Sequence, residues 1–254
     1  MGIGESIKKG FGTAQKSMSL VGLLFVFGFI FNLVNVLMAP KPPEPNAAPP
    51  PALIILGVFF IFLSIFFQAG SMAFVRDLIK TGKASLSSFT SGGGKYYLRL
   101  LVLGIVVSLI IGVFVLLAAL AVSFLKDNLA PLGVILAIFF GALGIYFVVM
   151  LFLSPYAAVV DDNGVGQSIK LSMKLVKKNI LTLLGMSAIL IVIGFGIGMV
   201  LGAVLAGISF LVKQEIVSQI LFAVLSSLVN SYLGIVVTAA FMSFYLVLPD
   251  RNNP

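Results

Sequence analysis

Six long apolar runs constrain this chain more than any other feature. They lie at about 19–38, 52–75, 98–124, 131–153, 180–206 and 217–247, and each is almost free of Asp, Glu, Lys and Arg. At about 1.5 Å per residue, twenty helical residues cover a hydrocarbon layer of about 30 Å. Within such a layer each backbone N–H and C=O must find its partner inside the segment, so every run is expected to be a spanning helix. Composition agrees: 60% of the residues are hydrophobic and 9% are charged, against about 25% charged in soluble domains. Both last runs exceed about 23 residues, which calls for tilt or emergence from the bilayer.

The basic residues set the orientation. Lys and Arg number 16 against 8 Asp and Glu, a net charge of +8. Alternating spans put the N-terminus, the stretch 76–99, the stretch 153–180 and the C-terminus on one side. That side receives every Lys and Arg except Lys41, Lys126 and Lys213. The positive-inside rule makes it cytoplasmic, with both termini there, in a multi-pass protein of the cell membrane. On the opposite side the loop 40–51, PKPPEPNAAPPP, holds seven prolines in twelve residues and is expected to be a stiff, polyproline-like cap. Lys126-Asp127-Asn128 and Lys213-Gln214-Glu215 read as tight turns, and the sixth run ends at Pro249-Asp250-Arg251. Lys8, Lys9 and Lys16 before an apolar run superficially fit a secretory signal, but no small-residue cleavage site follows, so the run is expected to stay as the first span.

Between spans the polar stretches are basic and helical in pattern. In residues 153–180 an acidic turn, Asp161-Asp162-Asn163-Gly164, precedes a run with Val165, Ile169, Met173 and Val176 at helical spacing. Lys170, Lys174, Lys177 and Lys178 fall mostly on another face, as in a helix lying among headgroups. Near the N-terminus Ile7, Phe11, Ala14 and Met18 repeat that spacing, with Lys8, Lys9 and Lys16 on other faces. Ser6-Ile7-Lys8 matches Ser168-Ile169-Lys170, and Lys16 matches Lys178, at one offset; Ser88-Phe89 lies near half of it. The expected layout is therefore three hairpins, each preceded by an amphipathic interfacial helix or elbow, in one membrane domain with repeats at about 1–80, 81–160 and 161–248. The middle copy departs from the pattern at Gly92-Gly93-Gly94, which reads as a hinge between an interfacial helix and the third span. Gly194, Gly198 and Gly202 recur every four residues on the fifth span and are expected to pack helices together, within one subunit or between copies; Gly141 and Gly144 do so on the fourth.

Chemistry-bearing residues are few. The chain has no Cys and no His, so disulfides, zinc or transition-metal sites and His-dependent catalysis are not expected. No cofactor and no nucleic-acid partner are implied; a basic balance in so apolar a chain points to anionic membrane lipids. The elbow lysines 170, 174, 177 and 178, with Lys8, Lys9 and Lys16, are the candidate headgroup ligands. Inside the spans Gln68, Asn230, Tyr146 and Tyr232 are the polar candidates, with Asn32, Asn35 and a serine group around Ser226, Ser227 and Ser231. They either hydrogen-bond between helices or line a polar cavity. Asp161 and Asp162 are adjacent carboxylates best suited to capping the helix that follows.

Three functions fit. The first is a non-enzymatic protein organising anionic lipids or a membrane partner at the cytoplasmic face. The second is a small-solute or lipid transporter with a polar cleft near Gln68 and Asn230. The third is a membrane-embedded lipid enzyme, for which only Asp77, Asp161 and Asp162 offer carboxylates at headgroup depth. Ser154-Pro155-Tyr156-Ala157, Val159-Val160, Gly164, Ser168-Ile169, Ser172 and Lys177-Lys178-Asn179 resemble the signature of a membrane-domain family. That family includes the membrane region fused to some glycerophosphoryl diester phosphodiesterases and stand-alone prokaryotic proteins of unknown role. The resemblance implies a six-span layout. It implies no hydrolase activity, because the soluble barrel that carries that chemistry has no counterpart here.

Overall fold

A computed structural model describes residues 2–38, 51–125, 129–212 and 214–249. The proline-rich loop up to Pro50, the Lys126-Asp127-Asn128 turn, Lys213 and Asp250-Arg251 lie outside the described residues. Among those described, eight helices follow one another and no strand occurs: α1 (Ile3–Lys16), α2 (Met18–Met38), α3 (Pro51–Thr81), α4 (Leu86–Phe124), α5 (Ala130–Leu151), α6 (Ser154–Val160), α7 (Val165–Leu211) and α8 (Glu215–Leu246). Six stretches are long and apolar enough to cross a membrane: α2, α3, α4, α5 with α6, α7 and α8. Only 11% to 33% of each apolar window is buried inside the protein, so these helices turn large side chains outward, Leu181 at 82% exposure among them. Water would penalise such a surface; hydrocarbon does not.

The chain folds as two compact units. The first comprises residues 1–95 and 181–247. Its axis is α8, on which α1, α2 and α3 all pack. The end of α8 suits this role because small Ala239, Ala240 and Ser243 alternate with Phe241, Met242 and Tyr245, all buried. Against it α1 presents Ser6, Ile7, Gly10 and Ala14, its buried face. A Cβ on Gly10 would stand 2.7 Å from the Val236 carbonyl oxygen, so the two backbones meet where glycine permits. This revises the stripe expected for residues 7–18. Ile7 and Ala14 are buried against protein, Phe11 is half-buried, and Met18 is 59% exposed at the start of α2. Buried Ser17 separates α1 from α2, its hydroxyl donating to the Thr13 carbonyl at 2.8 Å.

The glycine triplet is no hinge. Gly92, Gly93 and Gly94 sit within unbroken α4, and two of them receive α3. A Cβ on Gly92 would overlap that of Ala73, and one on Gly93 would come within 2.7 Å of the Phe66 ring. Gly70 of α3 returns the contact: its Cβ would lie 2.7 Å from the Phe89 ring. Phe89 also meets the rings of Phe66 and Phe67 edge-on, at 5.9 and 5.5 Å. Tertiary packing thus supports a helix that three glycines would weaken in isolation. The α3–α4 turn is made by Gly82 instead, whose φ of +72° ends α3 in the left-handed region.

The second unit holds residues 96–180 and the C-terminal segment from 248. Its part of α4 packs on α5 through Gly133, whose Cβ would stand 2.9 Å from the Ala121 carbonyl, and Gly144, close to Phe114. The glycines expected to pack the fifth span behave otherwise. A Cβ on Gly194, Gly198 or Gly202 would meet nothing within 4 Å, and the same holds for Gly141. Their spacing marks a face that another helix can approach, but α7 does not present that face to the described residues.

Candidate functional site

The polar side chains of the spans separate into distinct settings. Two of them, Gln68 and Asn230, lie on one groove among α2, α3 and α8 of the first unit. On α3 the residues Ser64, Gln68 and Ser71 fall at i, i+4 and i+7; on α8 Ser227, Ser231, Gly234 and Thr238 continue the same helical row. The groove has two compartments that share Leu24, Phe27 and Gly234. One, about 230 Å³, is lined by Ser64, Gln68, Ser71 and Thr238; the other, about 410 Å³, by Asn32, Ser227, Asn230 and Ser231. Phe27 and Phe67, stacked at 4.1 Å, form an apolar wall.

Among the described residues no charged side chain lines either compartment. On α3 the charges begin at Arg76 and Asp77, which pair with each other at 2.8 Å. Some groove groups are satisfied locally. Asn32 donates to the Ser227 hydroxyl at 2.9 Å, and Ser231 to the Ser227 carbonyl at 2.6 Å. Others are not. The amides of Gln68 and Asn230 are exposed on the groove and make no hydrogen bond among the described residues. The Ser71 hydroxyl is buried and likewise without a partner.

Tyr232 and Tyr146 stand elsewhere. Tyr232 lines an apolar hollow with Met18, Val21 and Leu228, and its ring lies 6.4 Å from that of Phe11. Tyr146, in the second unit, is 43% exposed and stands edge-on to Phe147 at 5.7 Å. Span position alone did not separate these tyrosines from the groove.

The lysines are divided between the units. In the first, Lys8, Lys9 and Lys16 are exposed along α1, and Lys9 reaches Glu5 at 3.9 Å. In the second, Lys170, Lys177 and Lys178 are exposed on the first half of α7 and Lys174 is half-buried. The opposite face buries Ser168, Leu171, Ser172, Leu175 and Val176. Of the apolar stripe expected there, Val176 alone is buried, while Val165, Ile169 and Met173 are intermediate. The face is rotated because the serines point inward. Ser172 donates to the Met150 carbonyl at 2.7 Å and accepts from the Leu153 N–H at 3.1 Å. It thereby satisfies backbone groups freed where α5 gives way to α6 at Ser154-Pro155.

A break in α7 ends the lysine-bearing half. Asn179 leaves helical geometry, with φ −124° and ψ 20°, and its side chain donates to the Leu175 carbonyl at 2.9 Å. At the other end Arg99 grips the acidic turn through the Asp162 carboxylate and the Asp162 and Asn163 carbonyls, at 3.0 and 3.4 Å. Asp162 has a φ of 57°, which Asp tolerates better than most residues. Arg99 was not among the candidate residues; its position sixty-three residues before its partner gave no local signal. Ser71 and Thr238 were also missed, although the four-and-three spacing of polar residues on α3 and α8 is visible in the sequence.

Among the described residues no group of three or more His, Cys, Asp or Glu comes together. What the chain offers is an uncharged hydrogen-bonding groove and a basic helical face. Six apolar helices of spanning length, without a strand among the described residues, define an all-helical protein of the multi-pass membrane class. Within that class the chain belongs to a family described as a domain of unknown function (DUF7847), whose model it matches over residues 1–248. No link to glycerophosphoryl diester phosphodiesterases accompanies that match. No curated protein and no solved structure matches the chain.

Proposed function

We propose that this protein is a non-enzymatic membrane component that organises anionic lipids at the cytoplasmic face. The observation that carries this reading is the division of α7 before Asn179, with Lys170, Lys177 and Lys178 exposed and Ser168, Leu171, Ser172 and Leu175 buried. Ammonium groups held on a rigid helix attract an anionic leaflet, each contributing about 1 kcal/mol near the surface. The charge distribution that puts this face in the cytoplasm also puts both termini there. Asp77 and Asp162, two of the carboxylates an embedded lipid enzyme would need, are each paired with an arginine.

The test is co-purification from membranes of mixed lipid. Lys170→Gln with Lys177→Gln is expected to lower retained phosphatidylglycerol relative to phosphatidylcholine by about tenfold or more, since each charge is worth about fivefold. Unchanged retention overturns the reading. The groove favours a second reading, a small-solute or lipid transporter. Its unpartnered amides at Gln68 and Asn230 are what a polar passage requires.

A further inference from the structure

We infer that the groove among α2, α3 and α8 holds the polar end of a neutral two-chain glycerol lipid, one with a free hydroxyl and no phosphate. The proposal shares its site with the transport reading but requires no passage across the membrane and no lysine. Three observations lead to it. The first is an unmet hydrogen-bonding demand. Ser71 is 7% exposed, its hydroxyl has no partner among the described residues, and it lines the same compartment as Gln68 and Thr238. A buried hydroxyl left unpaired is disfavoured, and an amide facing hydrocarbon more so. Their pairing with an occupant removes that penalty.

The second observation is where the groove opens. Gln68 and Gly234 are exposed, and both lie within stretches apolar enough to span a membrane. An occupant enters from the hydrocarbon, so it is an amphiphile. The third is the chemistry of the walls. Hydroxyls and carboxamides donate and accept but carry no charge, so nothing in the lining neutralises a phosphate or an ammonium. A glycerol hydroxyl with two neighbouring ester or ether oxygens offers one donor and several acceptors. These suit Ser71, Gln68 and Thr238, while Phe27, Phe67 and Leu24 face the chains. The compartment of about 410 Å³ is in the range of small-molecule sites, and the adjoining one of about 230 Å³ is smaller; together they admit a glycerol head with the first methylenes of its chains.

Gly234 supplies the decisive variant. It lines both compartments, and a Cβ there meets nothing within 4 Å, so the backbone accepts a side chain, and Gly234→Leu is expected to fill the groove. The full-length protein in phosphatidylcholine nanodiscs is irradiated with a diazirine-bearing diacylglycerol or, separately, with the matching phosphatidylglycerol. The diacylglycerol probe is expected to label α3 and α8 near Gln68 and Gly234 and to be competed by unlabelled diacylglycerol. Gly234→Leu is expected to reduce that labelling at least tenfold. Thr238→Val, nearly isosteric, removes one hydrogen bond and is expected to reduce it about fivefold. Lys170→Gln with Lys177→Gln leaves it unchanged, which separates this site from the basic face.

Labelling that is not competed overturns the proposal, as does groove labelling that survives Gly234→Leu. Equal groove labelling by phosphatidylglycerol overturns the choice of an uncharged headgroup. If Gly234→Leu fails to insert, Thr238→Val decides alone, and undiminished labelling there counts against the proposal.

Discussion

Single side chains here act mainly by satisfying backbone that the fold has left open. Ser172 is the clearest case, because it bonds two groups on the far side of a helix break, the Met150 carbonyl and the Leu153 N–H, and all three residues are buried. Ser172→Ala strands both groups, and each such loss costs about 1–3 kcal/mol. Ser187 provides the comparison. Its hydroxyl donates to Leu183 of its own helix at 2.9 Å, a carbonyl already engaged in the helical ladder. Ser172→Ala is expected to destabilise the protein in detergent by about 2 kcal/mol or more by chemical denaturation, and Ser187→Ala by well under 1 kcal/mol. Equal effects would mean that the hydroxyl does not hold the break. The sequence placed Ser172 inside a recurring pattern without revealing this task, because its partners lie about twenty residues upstream and only the folded chain brings them near.

For whole helices, the spans were legible and their contacts were not. Apolar length decides that a segment crosses, and it requires no knowledge of neighbours. Which face a helix turns inward depends on those neighbours, and glycine shows the difference. Gly194, Gly198 and Gly202 have regular spacing and face open space, while Gly92 and Gly93, in a triplet that reads as a hinge, form the closest approach between α3 and α4. A glycine free of tertiary contact only weakens its helix, by about 1 kcal/mol relative to Ala. Gly198→Ala is therefore expected to raise stability by up to about 1 kcal/mol, whereas Gly92→Ala forces Ala73 away and lowers it by about 1–3 kcal/mol. Thermal unfolding of both variants in one detergent checks the signs. A destabilised Gly198→Ala would instead point to a second copy packed on that face. The same dependence on neighbours explains the rotated lysine helix. Serines counted as polar turned inward, since backbone carbonyls at the α5–α6 break gave them better partners than headgroups would.

For the molecule as a whole, one asymmetry links the basic face, the groove and the bilayer. Positive charge gathers in stretches that alternate spanning assigns to one side, and the intervening turns carry a lone lysine each. Because insertion responds to Lys and Arg near span ends, the orientation proposed above turns Lys170 and its neighbours toward the cytoplasm. The groove can then be placed along the bilayer normal. Ser71 lies five residues before Arg76, or about 7 Å along α3, and Ser64 about 18 Å. Under the proposed orientation the hydroxyl-rich end of the groove is expected at the depth of a lipid glycerol, near the charged end of α3, and the Asn230 end deeper. The lipid-organising reading depends on this orientation, and the depth of the groove on the alternation of the spans. The chain contains no cysteine, which makes orientation directly measurable. Single cysteines at Pro45 and at Lys174 are expected to react with an impermeant maleimide from opposite sides of sealed vesicles, with Pro45→Cys reacting from outside in intact cells. Labelling of both from the same side would break the alternation. It would remove the basic face from the anionic leaflet and the glycerol from the depth at which Ser71 and Gln68 wait for it.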